Sequence, residues 1–237
     1  MKIALIGYGK MGKAIEAIAV ERGHEIVAKI TSKEKEQIED LIEGADAAIE
    51  FTRPEFAVEN IQHCFNAKVP VVVGTTGWNE HLDAIAQSCN EHDGSILHAS
   101  NFSIGVNLFF EVNKKLAQLM STQKEYHPEM QEWHHIHKLD APSGTAITLA
   151  NQIMANNEAY NEWHLGKDTT DKSIAIEAFR ENEIPGTHII KYQSDIDSIE
   201  IKHEAHNRKG FALGSVIAAE WIADKKGVFT MSDLLNL

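Results

Sequence analysis

The chain is poor in cysteine and in positive charge, and it has no long apolar run. Two cysteines, Cys64 and Cys89, stand among 237 residues, both in segments of helical pattern. No disulfide framework can hold such a fold, and a reducing cytoplasm fits it. Lysine and arginine number 22 against 35 aspartates and glutamates, a formal charge of −13. A nucleic-acid binder needs a basic surface to neutralise phosphates, so that class is excluded. The deficit is diffuse: residues 1–104 carry 9 basic and 16 acidic groups, residues 105–237 carry 13 and 19. No apolar stretch nears the ~18 residues that a membrane span requires. Met1 to Ile6 begins as a secretion signal would, but Gly7-Tyr8-Gly9-Lys10 stops the run, so export is not expected. Internal repeats and low-complexity segments are also lacking.

What is present is a globular composition, 43% apolar and 24% charged, long enough for one large domain or two modest ones. Over the first hundred residues short apolar runs alternate with segments of helical period. Strands are predicted at Ile3 to Ile6, Glu25 to Ile30, Ala45 to Phe51, Val69 to Val73 and Ser95 to Ala99. Helices are predicted at Lys10 to Arg22, Glu55 to Phe65 and Asn79 to Glu91. That rhythm is the pattern of βαβ units and of a doubly wound, Rossmann-type parallel sheet in an α/β fold. After Asn101 it changes. Helices near Val106 to Met120 and Gly144 to Asn156 flank a mixed strand-like stretch, Tyr126 to His137. Three alternating segments follow, Ser173 to Phe179, Thr187 to Tyr192 and Ser198 to Glu204, and a helix at Leu213 to Ala223 closes the chain. These predict a second, α+β domain with an antiparallel or mixed sheet.

Gly7-Tyr8-Gly9-Lys10-Met11-Gly12 matches G-x-G-x-x-G and falls between a strand and a helix, where the mechanism needs it. The first glycine makes the turn, the second admits the pyrophosphate to the backbone, and the third lets helix and strand pack. The helix N–H groups face the anion. The second strand ends Ile30-Thr31-Ser32-Lys33, with no carboxylate until Glu34. Hydroxyls and a cation suit a 2′-phosphate better than a ribose diol, which tilts the choice toward NADPH over NADH while leaving both open. Phe51-Thr52-Arg53-Pro54 and Gly74-Thr75-Thr76-Gly77-Trp78 lie at the ends of two further strands. Three such loops on one sheet edge fit one extended cofactor.

Glu132-Trp133-His134-His135-Ile136-His137-Lys138-Leu139-Asp140-Ala141-Pro142-Ser143-Gly144-Thr145-Ala146 gathers three histidines, a lysine and a helix start. Four potential cations in an acidic protein make a local site for an anionic substrate. Ser143, Gly144 and Thr145 offer hydroxyls and helix-start N–H groups to a carboxylate. A histidine near its ordinary pKa of about 6.5 is a natural proton donor at neutral pH. Metal binding is the competing reading. On a strand His135 and His137 would face one way and His134 the other, with no further ligand nearby, so no metal is expected.

The Glu132 to Ala146 segment resembles the signature of the 4-hydroxy-tetrahydrodipicolinate reductase family, long called dihydrodipicolinate reductases. The likeness runs through the glycine turn, Phe51 to Glu55, Gly74 to Gly77, Ala99 to Asn107, and Arg208 to Ala212 with Gly214. It implies an NAD(P)H-dependent oxidoreductase that reduces 4-hydroxy-tetrahydrodipicolinate to tetrahydrodipicolinate with loss of water, in diaminopimelate and lysine biosynthesis. A nucleotide-binding domain of residues 1–103 and 208–237, completed by the C-terminal helix, would flank a domain of residues 104–207 that binds the dicarboxylate substrate and builds a homotetramer. Segments Ser103 to Val106 and Ala205 to Arg208 would be hinges. By the same resemblance His134 is the catalytic acid, Lys138 its partner, and His135, Gly144 and Thr145 substrate ligands. Cofactor contacts fall on Gly7 to Gly12, Ser32, Lys33, Phe51, Thr52, Arg53, Gly74, Thr75, Thr76, Ala99, Ser100, Asn101, Phe102 and Arg208. The glycine turn is one residue shorter than in many members, and Thr31-Ser32 stands where many carry an acid. A non-catalytic nucleotide sensor would have no need of His134 and Lys138 beside a carboxylate-gripping helix start. Another Rossmann reductase would lack the whole segment.

Overall fold

The structure, a computed structural model, describes residues 1–167, 170, 172–207 and 209–237, without the Lys35 side chain. Arg208 therefore lies outside the described residues. The chain divides into two compact units, Met1–Ile104 with Lys209–Leu237, and Gly105–Arg208.

The first unit opens with β1 (Lys2–Ile6), α1 (Lys10–Glu21), β2 (Glu25–Ile30), α2 (Ile38–Ile42) and β3 (Ala47–Glu50). It continues with α3 (Pro54–Asn66), β4 (Val71–Val73), α4 (Leu82–Glu91) and β5 (Ser95–His98). The second unit holds α5 (Ile104–Met120), β6 (His127–His134), α6 (Gly144–Asn156), β7 (Glu162–Leu165), β8 (Ser173–Arg180), β9 (Thr187–Gln193) and β10 (Ser198–Glu204). The chain then returns to the first unit with α7 (Lys209–Ile222), β11 (Gly227–Phe229) and α8 (Met231–Leu235).

The first unit's six strands run parallel in the order β11-β5-β4-β3-β1-β2. Both faces are covered over the central strands β1, β3, β4 and β5, which are buried on both sides, whereas the edge strand β2 exposes Glu25, Val27 and Lys29. Ala4, Ile6, Val71 and Val73 face a core with Ile61, Cys64 and Ile85, whereas Ile3, Leu5 and Val72 face one with Ile15, Val216 and Ala219. That is the doubly wound sheet read from the sequence. Strand order reverses between β1 and β3, and the carboxyl ends there form the natural crevice. The expected Lys10 to Arg22 helix stops at Glu21, and the Asn79 to Glu91 helix opens with a 3₁₀ turn at Asn79–His81. The C-terminal contribution is larger than the single helix expected. Three-residue β11 carries too short an apolar run to stand out, yet it pairs with β5 as the sheet's edge.

The second unit's sheet runs β10-β9-β6-β8-β7, antiparallel across β10, β9 and β6 and parallel across β6, β8 and β7. It is mixed, as the alternating pattern predicted. One face packs Met130, Ile174, Ile176, Ile190 and Tyr192 beneath Leu149, Ala150 and Ile153 of α6.

Candidate active site

The turn after β1 is a backbone device. Gly7 has φ +98°, and a Cβ there would sit 2.0 Å from the Phe51 carbonyl oxygen; one on Gly12 would sit 2.4 Å from the Gly7 oxygen. Around Gly9, by contrast, a Cβ would meet nothing within 4 Å. The middle glycine faces open space, which is the cradle a pyrophosphate needs. Gly7, Tyr8, Gly9, Thr31, Ser32, Thr52 and Arg53 line one cleft of about 480 Å³, together with Phe56 and Asn60. Thr75, Thr76, Ala99 and Ser100 line a smaller cavity of about 40 Å³. These residues fit an extended dinucleotide along one sheet edge.

Not every residue expected at the cofactor lines the cleft. Lys10, Met11 and Gly12 belong to α1, and Met11 packs into the core. The Phe102 side chain is buried against Phe51, and Gly74 is small because a Cβ there would strike the Phe51 ring at 2.0 Å. The packed Phe51 and Phe102 rings support these loops. Lys33 is exposed and lies outside the cleft, while Glu34 folds back so that its carboxylate accepts from the Thr31 amide at 2.9 Å and from the Thr31 hydroxyl at 2.6 Å. The end of β2 therefore carries a carboxylate after all.

Behind these loops lies Glu50, the last residue of β3 and fully buried. It accepts from the Thr52 hydroxyl and, at 3.2 Å, from the Asn60 amide, while the Thr75 hydroxyl accepts from the Thr52 amide at 2.7 Å. Burial drives its carboxyl above the ordinary value against these neutral donors.

In the second unit, β6 changes character along its buried face. Pro128 and Met130 are apolar; Glu132 and His134, on the same face, are not. The register explains what meets them. Glu132 lies opposite His188 of β9, and His134 opposite Arg180 of β8. The Glu132 carboxylate accepts from the Ser143 amide at 3.0 and 3.1 Å and from Arg180 at 3.0 Å, with His188 Nε2 and His134 Nδ1 each 3.6 Å away. Burial raises its carboxyl, but hydrogen bonds from Ser143 and Arg180 together with the nearby His188 and His134 outweigh burial and hold it at about 2. Glu132 is ionised.

His134 departs from expectation. Burial depresses it to about 4, Glu132 opposing and the charges of His188, Lys138 and Arg180 assisting. At neutral pH the unliganded imidazole is neutral, so the ordinary value of 6.5 does not apply. A Cβ on Gly186 would lie 3.1 Å from its Nε2, so that nitrogen faces a position without a side chain. Lys138 pairs with Asp140 at 2.7 Å. His135 lies beyond the end of β6, its ring 6.2 Å from that of His137.

Ser143 is not free to grip a substrate. Its amide is spent on Glu132, its hydroxyl caps α6 by accepting from Ala146 at 3.2 Å, and the same oxygen lies 3.1 Å from His188 Nε2. Gly144 is exposed, Thr145 is half-buried, and their amides at the first turn of α6 take no partner among the described residues. Glu132, His134 and His188 also have atom types that hold metals, and their ligating atoms lie within 4.8 Å of one another. His188 arrives from β9, far from this segment in sequence. Yet both Glu132 oxygens already accept from Ser143, and its charge faces Arg180.

Residues 1–102 match the family profile of the dihydrodipicolinate reductase N-terminus, and residues 105–235 that of its C-terminus. The whole chain is 48% identical to the 4-hydroxy-tetrahydrodipicolinate reductase of Christiangramia forsetii, over 98% of that protein. The chain belongs to the dihydrodipicolinate reductase family. A reductase of the same name from Neisseria meningitidis is 33% identical over 94% of this chain and 84% of its own. A solved dihydrodipicolinate reductase from a Paenisporosarcina species, with dipicolinate bound, shares the fold: TM-score 0.77 at 23% identity over 97% of both chains. Membership makes the chain an NAD(P)H-dependent oxidoreductase.

For this reductase, sequence reasoning missed Arg180, His188, Gly186 and the work of Glu132. The signal for His188 was its place beside Ile190 and Tyr192 on the buried alternation of β9. Nothing local marks Arg180.

Proposed function

We propose that this reductase converts 4-hydroxy-tetrahydrodipicolinate to tetrahydrodipicolinate, with nucleotide bound by the first unit and the dicarboxylate by the second. The observation that carries this reading is the buried carboxylate of Glu132, which joins the His134 strand to the first turn of α6, so that a proton donor and an anion-binding helix start share one frame. When bound, NAD(P)H supplies the hydride. The glycine turn and the loops at Thr52, Thr75 and Ala99 hold it. The Gly144 and Thr145 amides, the Thr145 hydroxyl and His135 hold one substrate carboxylate. A doubly charged substrate raises the pKa of the neutral His134, which takes up a proton on binding and delivers it from Nε2 as electron density gathers on the substrate ring. Lys138 assists as the second cation. Positioned donors of this kind contribute ~10²–10⁴-fold.

For cofactor choice, Thr31, Ser32 and Lys33 favour a 2′-phosphate, whereas the Glu34 carboxylate at the same strand end is suited to a ribose diol. We infer use of both NADPH and NADH. The reading places the enzyme in the cytoplasm, where buried Cys64 and Cys89 stay reduced. It also assigns a homotetramer through the sheet face opposite the α6 core, where Trp133 and Phe179 stack at 4.8 Å beside half-buried Ile189. Light scattering on Trp133→Glu tests that assembly: an undiminished mass would remove the face from it.

The deciding assay offers fresh condensation product of pyruvate and aspartate semialdehyde with NADPH or NADH and follows nicotinamide absorbance. No turnover with either sinks the reading. His134→Gln should lower kcat by about 100-fold or more while nucleotide affinity holds.

A further inference from the structure

We infer that Glu132 is a positioning residue of the reaction: it fixes the substrate-binding helix start to the strand that carries His134, and it is the counter-charge for His134 once that histidine is protonated. The inference rests on His134 being the proton donor proposed above.

The geometry has three parts. First, Glu132 exposes no surface, and its two oxygens clamp the Ser143 amide, so the strand and the first turn of α6 cannot shift independently. Second, Arg180 secures the carboxylate from β8 and reaches on to the Asp140 carbonyl oxygen at 2.5 Å, in the loop that carries Lys138. One charged pair thus ties β6, β8, the Lys138 loop and α6. Third, His134 Nδ1 is buried without a hydrogen-bond partner and lies 3.6 Å from Glu132 Oε2. That is just beyond hydrogen-bond reach for a neutral ring. A protonated ring would need only a small movement to donate from Nδ1 to that oxygen, leaving Nε2 to face the substrate.

The groups facing His134 are Glu132 on its own strand, Arg180 from β8, His188 from β9, its ring centroid 5.1 Å away, and Lys138 from the following loop. Glu132 supplies the only negative charge among them. Three groups that are cationic or can become so would otherwise push the proton off the ring, and an opposite charge at this range favours the charged form.

The experiment compares Glu132→Gln, Glu132→Asp and His134→Gln, with nucleotide affinity measured by calorimetry as the control for folding. Glu132→Gln should lower kcat about 100-fold, raise KM for the dicarboxylate less than about fivefold, and move the acidic inflection of the pH profile down by about one pH unit or more. Glu132→Asp keeps the charge and should recover about tenfold of the loss with a smaller shift. Glu132→Gln turning over within threefold of the parent, or Asp and Gln equally impaired with an unmoved inflection, would overturn the inference and leave a packing role. If Glu132→Gln loses nucleotide affinity, Glu132→Asp decides alone, and about a hundredfold loss of kcat in it with an unmoved inflection overturns the claim. An active His134→Gln would instead remove the proton donor, whereas an inactive His134→Gln beside a normal Glu132→Gln would remove only the counter-charge.

Discussion

Glu50 closes β3, Glu132 stands two residues from the end of β6, and neither exposes any surface. Each ties loops at a strand's carboxyl end to a neighbouring helix. Their partners differ. Among the described residues Glu50 receives neutral donors, Thr52 and Asn60 among them, and burial pushes its carboxyl up. Glu132 meets Arg180, His188 and a helix-start amide, which hold it down at about 2 against the same burial. Depth alone does not set a carboxyl's charge; the company at that depth does. The first unit uses its acid as a hydrogen-bonding peg, and the second unit uses its acid as a charge.

The sharpest way to break this comparison is to neutralise both. Glu132→Gln leaves Arg180 without its counter-charge and should cost about 3–5 kcal/mol of stability, whereas Glu50→Gln should cost within about 1 kcal/mol. Urea unfolding of the two variants decides; equal losses would erase the distinction. Adding Arg180→Met to Glu132→Gln should recover most of the loss, because the stranded cation is then gone.

Acid titration sharpens it next. Glu132 has a folded-state pKa below its unfolded one, so its contribution is complete above about 4.5 and fades as pH falls through about 2. Neutral, buried His134 acts in the same sense: below its ordinary 6.5 the unfolded chain takes up the proton first, and stability drops down to about 4. Glu50 runs the other way, its contribution present below the ordinary carboxyl value and lost as pH rises through the elevated one. The stability gap between parent and Glu132→Gln should therefore narrow in acid, and a gap flat from pH 6 to pH 2 would contradict the assigned charge.

A smaller effect tests the substrate side alone. Thr145→Val deletes one hydroxyl and should weaken competitive inhibition by pyridine-2,6-dicarboxylate by about 1–3 kcal/mol. Equal inhibition of variant and parent would leave that hydroxyl outside the site. Smallest of all, Glu34→Gln should shift kcat/KM toward NADPH by two- to fivefold, since an exposed charge repels a 2′-phosphate weakly at physiological salt. No change in the ratio would detach Glu34 from cofactor choice.

Much of this architecture was legible in the sequence because its signals are local. Ile3 to Ile6, the glycine turn and the helix from Lys10 carry their own period and punctuation, and the segment from Glu132 to Ala146 is long enough to be specific. What stayed hidden depends on register. Arg180 and His188 reach Glu132 only because β6 pairs with β8 on one side and β9 on the other, and strand order is not written in any one strand. The Glu34 carboxylate was visible, but its return to Thr31 is a matter of turn geometry. The neutral state of His134 follows from burial beside Lys138 and Arg180, which arrive from two other segments.

Gly214 carries one more consequence. A Cβ there would lie 1.7 Å from the Phe102 carbonyl oxygen, so α7 is pressed onto the end of the first unit's opening segment, and β11 then pairs with β5. During synthesis on a ribosome, that opening segment waits for more than a hundred residues before its last helix and edge strand emerge. Until then Ile96 and Leu97 border an open sheet edge, and one face of the sheet has α1 but not α7 over it. Such an edge is a template for association between nascent chains. The second unit, whose residues are contiguous, can fold while the first is held incomplete. Chaperone occupancy should therefore peak before β11 leaves the tunnel.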